Sequence, residues 1–356
     1  MRHTYLRSAF FLTLACAPVF GQIVVKSEDA EFDFGFAGQF WADWTQDAAG
    51  SQAYQQNLYL RRARLIVGGA LFKDVTFFFQ TDDPKLGLTP KALGSGFIVQ
   101  DAFVEWKATN AFRLQAGLMI VPMSRNAIQS PMSYYTLDIS PLTTITNTST
   151  QSSALRDAGF AAKGFFLKDR LQYRLGAFAG ERDSNAHDSL RTAGYLQYDF
   201  FAREKDYLLA GTALGKRKIL AIDGGFDQQG SYTGRSGNVA LDLPVHQGDE
   251  IGGQFQYLHY DGGNKFLTIA DQNDYVVEAA YYIHQLKTQP FLKAESQNFV
   301  TATNFGKDIN RYGFGMNHYI HGQNLKLTVQ YLRVLPQNSP VKPTNEFTAQ
   351  LQVFYF

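Results

Sequence analysis

The chain has 356 residues, and its 33 Lys and Arg residues nearly balance 32 Asp and Glu residues, giving a formal net charge of +1. This balance argues against a nucleic-acid-binding protein, which would carry a basic excess. With 30 Phe, 19 Tyr and 31 Gly, the chain is rich in aromatic residues and glycine. After residue 21 it nevertheless lacks the roughly 18 consecutive apolar residues of a transmembrane helix.

Residues 1–21 have the pattern of a cleaved secretory signal peptide. Arg2 and Arg7 form a positive start, and a short apolar stretch, too short to cross a bilayer as a helix, follows them. Small residues at Val19 and Gly21 predict cleavage before Gln22. A lipoprotein at Cys16 is the weaker alternative, because the residues before it make a poor lipobox.

Removal of this leader leaves a chain without cysteine, because Cys16 is the only one. It also lowers the formal charge from +1 to −1, since Arg2 and Arg7 are lost and the leader contains no acid. Small secreted domains often depend on disulfides, whereas a barrel in a membrane satisfies its own backbone hydrogen bonds. The composition therefore favours an exported β-barrel. We expect a periplasmic extension over residues 22–30 and one transmembrane barrel over residues 31–356.

From residue 31 onward, segments of about ten residues alternate between apolar and polar side chains. In Phe112–Ile120, for example, Leu114 and Leu118 alternate with Arg113 and Gln115. This period of two is typical of a strand with one face toward lipid and the other toward water. The pattern predicts an all-β, antiparallel barrel of sixteen strands over residues 31–44, 57–71, 75–83, 97–107, 112–120, 156–167, 170–181, 190–200, 218–228, 236–244, 250–260, 274–284, 290–299, 311–320, 325–334 and 345–356.

Short turns and long connections alternate between these strands. Short turns such as 72–74 and 108–110 are expected in the periplasm, and long connections such as 83–96 and 120–155 are expected outside the cell. Residues 207–215 look strand-like, but a further crossing would break the even number of strands. We therefore interpret 202–217 as a periplasmic connection or a strand extension.

The chain ends in Phe354-Tyr355-Phe356. A terminal aromatic residue on a last amphipathic strand is the pattern that the assembly machinery of the outer membrane recognises. Together with the leader, it indicates the outer membrane of a Gram-negative-type cell.

Four stretches of the sequence resemble the phosphate-selective porin O and P family. They are Leu60–Leu65 leading to Leu71–Asp74, Asp101–Trp106, Ala116-Gly117 followed by Val121-Pro122, and Gly313–Thr328. The resemblance implies a sixteen-stranded barrel in the outer membrane, a homotrimer, and an inward-folded third loop. Ile120 stands where members of the family often carry Lys, and the inward faces show no long ladder of arginines, so the resemblance leaves phosphate selectivity open.

The function predicted from these features is a porin through which small hydrophilic solutes, and small anions in particular, diffuse passively. The alternation turns Arg62 and Arg64 toward the lumen, because a charge facing lipid costs roughly 2–4 kcal/mol at the midplane. Inward rings of basic side chains favour anions. The candidate pore-lining and anion-contacting residues are Arg62, Arg64, Arg113, Arg125, Arg156, Lys163, Arg174, Lys293 and Lys326.

Acidic residues share these inward faces, namely Asp101, Glu105, Asp157, Glu278 and Glu295. The alternative interpretation is therefore that bases and acids pair across neighbouring strands and hold the wall together. The long connection 120–155 is the candidate constriction loop, and the hydroxyl-rich stretch Thr143–Thr150 is expected either to line a constriction or to lie on the surface.

The sequence lacks the motifs of a serine hydrolase elbow, a phosphate-cradling loop and a zinc protease helix. We therefore expect no enzymatic activity, no cofactor and no metal site. The expected partners are outer-membrane lipid and the permeating solutes. A structural or adhesive barrel with an occluded lumen remains the alternative function, and swelling of proteoliposomes in solute would separate the two.

Overall fold

In a computed structural model of the chain, the described residues form seventeen strands. The structure describes residues 23–48, 51–88, 93–94, 96–183, 187–300, 307–337 and 341–356, so the predicted signal peptide, residues 1–21, lies outside the described residues. The strands are β1 Ile23–Lys26, β2 Ala30–Gln46, β3 Tyr54–Leu71, β4 Val75–Asp82, β5 Ile98–Lys107, β6 Arg113–Ile120, β7 Arg156–Phe166, β8 Leu171–Phe178, β9 Arg191–Asp199, β10 Ile219–Gln229, β11 Tyr232–Pro244, β12 Glu250–Asp261, β13 Gln272–Tyr282, β14 Thr288–Phe299, β15 Ile309–Tyr319, β16 Leu325–Pro336 and β17 Thr344–Tyr355.

Strands β2 to β17 form a closed antiparallel barrel, in which each strand pairs with the next and β17 pairs with β2. The sixteen crossings confirm the predicted number, and they bring the described N- and C-terminal residues to one end of the barrel. We call this the lower end and the opposite one the upper end. The residues between β9 and β10, which include the strand-like 207–215, form a connection and add no crossing.

The short strand β1 lies in the stretch that the sequence assigned to a periplasmic extension, residues 22–30. It pairs with β2 from Ile23 opposite Phe34 to Lys26 opposite Glu31. The last strand, β17, pairs with β2 only as far as Tyr355 opposite Phe36. Strand β1 therefore continues the row of β17 and satisfies backbone groups of β2 that would otherwise form a free edge.

One connection differs in length from what the sequence indicated. At the upper end, β10 and β11 are joined by a two-residue turn at residues 230–231, where a longer loop was expected. Gly230 adopts a φ of 59°, which a tight hairpin turn requires and which glycine adopts at little cost. At the lower end, residues 200–218 form a long connection, which contains the stretch 202–217 that the sequence indicated to be a connection or a strand extension.

Side chains alternate in exposure along the strands, as a barrel between lipid and water requires. On β16, Lys326, Thr328 and Gln330 are buried toward the lumen, whereas Leu327 and Val329 are exposed on the outer surface. No helix among the described residues is long and apolar enough to cross a membrane.

Candidate functional site

The connection between β6 and β7, residues 121–155, folds into the lumen, and we call it the inner loop. Its base is closed where the Val121 N–H donates to the Leu155 carbonyl at 2.9 Å. Across the lumen, the Tyr135 hydroxyl donates to the Asp242 carboxylate of β11 at 2.5 Å. The inner loop therefore crosses the bore and is anchored on a distant part of the wall.

Side chains of the wall also hold the backbone of the inner loop at its middle. Gln39 Nε2 donates to the Pro131 carbonyl at 3.2 Å. The Met132 carbonyl accepts from Gln352 Nε2 at 2.9 Å and from Lys326 Nζ at 3.3 Å. Because these donors are buried, the bonds satisfy backbone groups that lie away from bulk water and thereby fix the position of the loop.

The connection between β9 and β10, residues 200–218, also enters the lumen, from the lower end, and we call it the lower segment. The Leu209 N–H donates to the Ile128 carbonyl at 2.9 Å, and the Leu209 carbonyl accepts from the Ser130 N–H at 2.8 Å. The Leu209 side chain packs with Ile128 and Tyr195 in one buried cluster. The two segments thus meet inside the barrel through both backbone hydrogen bonds and apolar contact.

A buried ion pair strengthens this junction. Arg125 of the inner loop donates from Nη1 to Glu204 Oε2 at 2.7 Å and from Nη2 to Glu204 Oε1 at 2.9 Å. Their side chains are 2% and 1% exposed. Burial alone would lower the pKa of Arg125, but the Glu204 carboxylate outweighs burial and holds this pKa well above its ordinary value. The two groups therefore form a bidentate pair.

A β-bulge brings an additional arginine into the lumen. Gln39 pairs with Arg62, but the next residue, Phe40, pairs with Leu60, so Arg61 has no partner opposite it. The extra residue interrupts the alternation locally. The Arg61 guanidinium lies over the ring of Trp41, with Cζ 5.6 Å from the ring centroid. Arg61 and Arg62 therefore both lie on the inner side of the wall.

These arginines surround Asp138 of the inner loop. Arg61 Nη2 lies 2.7 Å from one carboxylate oxygen of Asp138, and Arg62 Nη2 lies 2.6 Å from the other. Burial alone would raise the pKa of Asp138, but the two guanidiniums outweigh it and hold the pKa below its usual range. Burial raises the pKa of the neighbouring Tyr134 to about 12, so its hydroxyl is neutral at physiological pH.

Two further arginines on the same side of the lumen have partners on the wall. Arg64 Nε donates to Asp82 Oδ2 at 2.9 Å. Arg156 Nε lies 3.2 Å from Asp101 Oδ2, and Asp101 also accepts from the hydroxyl of Tyr207 at 2.5 Å. Each arginine is therefore held in place by a carboxylate.

The lumen on this side contains two cavities, one above the other. The upper cavity has a volume of about 390 Å³ and is lined by Arg61, Arg62, Arg64 and Arg156, together with Asp82 and Asp138. The lower cavity, which we call the lower chamber, has a volume of about 490 Å³. Its apolar lining residues are Ala37, Ile66, Phe78, Met132, Leu208, Phe354 and Phe356, and its polar ones include Arg64, Gln80, Ser130 and Asp206. Arg64 and Pro131 line both cavities. The passage from one cavity to the other therefore runs beside these two residues.

Sequence comparison identifies the family. The profile described as phosphate-selective porin O and P matches residues 34–215, which is just over half of the chain. The chain belongs to this family. It is an outer-membrane porin, a channel for passive diffusion of small hydrophilic solutes. Because the termini and short turns of such barrels face the periplasm, the lower end is periplasmic and the upper end faces outward.

Solved structures share the fold of this porin. Salmonella typhi OmpF in complex with daunomycin has a TM-score of 0.64 at 12% identity, over 94% of this chain and 100% of that chain. Pseudomonas putida OprB at high pH has a TM-score of 0.66 at 8% identity, over 91% of this chain and 94% of that chain. The outer membrane channel DcaP of Acinetobacter baumannii has a TM-score of 0.59 at 13% identity, over 93% of this chain and 99% of that chain. No curated protein sequence matches the chain.

The porin places the nine predicted basic residues in three groups. Arg62, Arg64 and Arg156 line the upper cavity. Arg113 lies opposite Lys107 near the lower end of β6, where it pairs with Glu105 at 2.9 Å. The remaining residues bond to the inner loop or to the lower segment. They are Arg125, Lys163, Arg174, Lys293 and Lys326.

The third group positions the two segments in the lumen. Lys163 Nζ donates to the Lys205 carbonyl at 3.0 Å, and Arg174 Nη1 donates to the Tyr207 carbonyl at 2.8 Å. Lys293 Nζ donates to the Asp138 carbonyl at 3.2 Å and lies 3.0 Å from Glu295. The predicted acids are buried near bases, with Asp101, Glu105, Asp157, Glu278 and Glu295 all within 4 Å of Arg or Lys nitrogens.

Sequence reasoning missed Arg61, Asp138 and Glu204. The alternation of apolar and polar residues gives no indication of the bulge that turns Arg61 inward. Asp138 did carry a signal, because it is the only charged residue between Arg125 and Arg156. A single acid in a long uncharged loop that faces basic strands is a candidate counter-charge.

The hydroxyl-rich stretch Thr143–Thr150 mostly packs within the inner loop and against the wall. The Thr143 hydroxyl donates to Asn126 at 2.9 Å, and the Thr150 hydroxyl donates to the Thr146 carbonyl at 2.8 Å. Thr144 and Asn147 line the upper cavity. The passage beside Arg64 is lined by the earlier part of the loop, around Pro131.

Proposed function

We propose that this porin prefers small anions and that selection takes place in the upper cavity. Four arginines and two carboxylates line this cavity, and Asp101, directly behind Arg156, supplies a third carboxylate. One positive charge is therefore in excess where the inner loop narrows the lumen. Fixed charges at a desolvated constriction act strongly on permeating ions. The single observation that carries the proposal is this arginine cluster facing Asp138.

Phosphate, which the family description names, is one anion of this class. Because most of the arginine charge is paired with carboxylates, we infer a modest preference for anions in general. The inner loop is the constriction in this proposal, since it carries Asp138 into the cavity and Pro131 to the passage.

The test is replacement of Asp138 by Asn, which removes one negative charge and keeps a side chain of the same shape. One unit charge at about 4 Å is worth ~1 kcal/mol even in a water-like dielectric. The chloride-to-potassium permeability ratio should therefore rise roughly fivefold. The measurement is the reversal potential of single channels in a planar bilayer under a salt gradient.

Two control variants make the result specific. Glu28→Gln also removes one negative charge, but from the exposed lower end, and it should leave the ratio unchanged. Arg61→Gln should lower the ratio, whereas Arg235→Gln on the exposed outer surface should not. If Asp138→Asn left the permeability ratio at the wild-type value, as Glu28→Gln should, the proposal of selection in the upper cavity would be wrong.

We further propose that residues 1–21 are removed on export, that the mature chain forms a homotrimer, and that diffusion is its whole activity, without an enzymatic step. The apolar outer surface and the family resemblance support the trimer. The mass of the purified protein would test cleavage before Gln22, and sedimentation in detergent would test the trimer. A monomer that conducts normally would contradict the trimer alone.

A further inference from the structure

The lower chamber has an unusual lining for a polar diffusion channel. Seven of its thirteen lining residues are Ala, Ile, Phe, Met or Leu. Ile66 and Phe78 come from the wall, Met132 from the inner loop, and Leu208 from the lower segment. Both segments that enter the lumen therefore contribute an apolar side chain to the same cavity.

Aromatic rings form one side of the lower chamber. The ring centroid of Phe78 lies 5.6 Å from that of Tyr207 and 5.9 Å from that of Phe356. The ring of Phe103 is tilted against that of Tyr207, with the two centroids 4.5 Å apart. The terminal residue Phe356 thus lines the lumen. These tilted rings offer a largely apolar wall to an aromatic or aliphatic molecule.

Arg64 stands at the entrance of this chamber. Its Nε is bonded to Asp82, and among the described residues its two terminal nitrogens make no hydrogen bond. The residue is only 5% exposed and lines both cavities. A buried guanidinium with free donors favours a carboxylate or a phosphate, which it can bind through two nitrogens.

We propose that the lower chamber is a binding site for organic anions with an apolar body, the carboxylate being held by Arg64 and the body by the chamber. A small inorganic anion could pair with Arg64, but it would lose water in this chamber without gaining apolar contacts. A carboxylate with an aromatic or cycloaliphatic body would bury apolar surface there. This inference rests on the proposed anion preference and narrows it to monocarboxylates of the size of benzoate.

The experiment adds benzoate or acetate to the full mature porin in planar bilayers and records the current at a constant chloride concentration. Burial of about half of a ring should make benzoate block, or compete with chloride, at about tenfold lower concentration than acetate. Cyclohexanecarboxylate should resemble benzoate, whereas neutral benzyl alcohol should act weakly because it cannot pair with Arg64.

Variants of the chamber locate the site. Met132→Gln has nearly the same shape but is polar, and Ile66→Thr replaces an apolar side chain of the wall. Each variant should reduce severalfold the potency of benzoate relative to acetate, measured from the blocking concentrations. Met132→Leu should keep the high relative potency of benzoate. The inference would be overturned if benzoate and acetate blocked at equal concentrations, or if neither polar variant changed the relative potency of benzoate. If the wild-type porin showed no preference for anions over cations, the proposed function itself would be overturned.

Discussion

Removal of Glu204 is expected to destabilise the porin strongly, because Arg125 would remain buried without its carboxylate. Arg125 is bidentate to Glu204, and among the described residues its other hydrogen-bond acceptors are the Gln197 amide oxygen at 3.4 Å and the Ala210 carbonyl at 3.3 Å. Breaking a buried pair by removing one partner typically costs about 3–5 kcal/mol. Glu204→Gln should therefore lower the free energy of unfolding by about that amount.

The double variant Arg125→Met, Glu204→Met makes the prediction quantitative. Replacing both charges with apolar side chains removes the uncompensated charge, and such replacements are often close to neutral. The coupling energy of the two positions should thus be about 3 kcal/mol or more. Urea unfolding of the porin in lipid vesicles, followed by the fluorescence of its three tryptophans, measures the free energy of unfolding of the wild type, of each single variant and of the double variant.

A matched pair on the surface provides the control. Lys26 and Glu31 form an ion pair at 2.8 Å, but their side chains are 64% and 40% exposed. Removal of Glu31 should cost only about 0–1 kcal/mol. If Glu204→Gln cost no more than this, or if the double variant cost the sum of the two single ones, the buried pair would not couple the inner loop to the lower segment.

Two other predictions concern pH and one glycine. The two guanidiniums hold the pKa of Asp138 below its usual range, so its ion pairs are fully formed above the unfolded value near ~3.9 and are lost only as pH falls through the lower folded value. Anion preference should thus be constant from pH 7 down to about 4.5, and a midpoint within that window in a reversal-potential titration would contradict this. Gly117→Ala should prevent refolding into detergent micelles, because φ is 133° and a Cβ would lie 2.2 Å from the Ala102 carbonyl oxygen. Gly237→Ala, in open space, should refold normally as judged by heat-modifiable gel mobility.

The sequence predicted the barrel well because one physical rule acts on every strand. Any side chain that faces lipid must be apolar, so Leu327 and Val329 mark one face, and Lys326 and Thr328 mark the other. The same rule placed Arg62 and Arg64 on the lumen side. The number of strands followed from counting the alternating segments and from the need for an even number of crossings. The family and its activity as a porin were confirmed.

The parts that could not be predicted are those to which this rule does not apply. Arg61 faces inward only because the pairing with β2 slips by one residue, and that slip depends on the neighbouring strand. The middle of the lower segment lies inside the barrel, so contacts with the inner loop and with Asp101 bury Leu209 and half-bury Tyr207. Such positions depend on tertiary contacts that lie about 80 to 110 residues away in sequence.

The bulge at Arg61 also has a consequence for how the charge of such a channel changes during evolution. A substitution on a barrel strand alters one side chain, and the membrane rejects charge on every second position. Insertion of a single residue creates a bulge that places two consecutive side chains on the lumen side of the strand. A guanidinium is thereby added to the solute pathway, while the lipid-facing residues stay apolar. Small length changes within strands are therefore a route to new permeability that leaves the composition of the membrane surface intact.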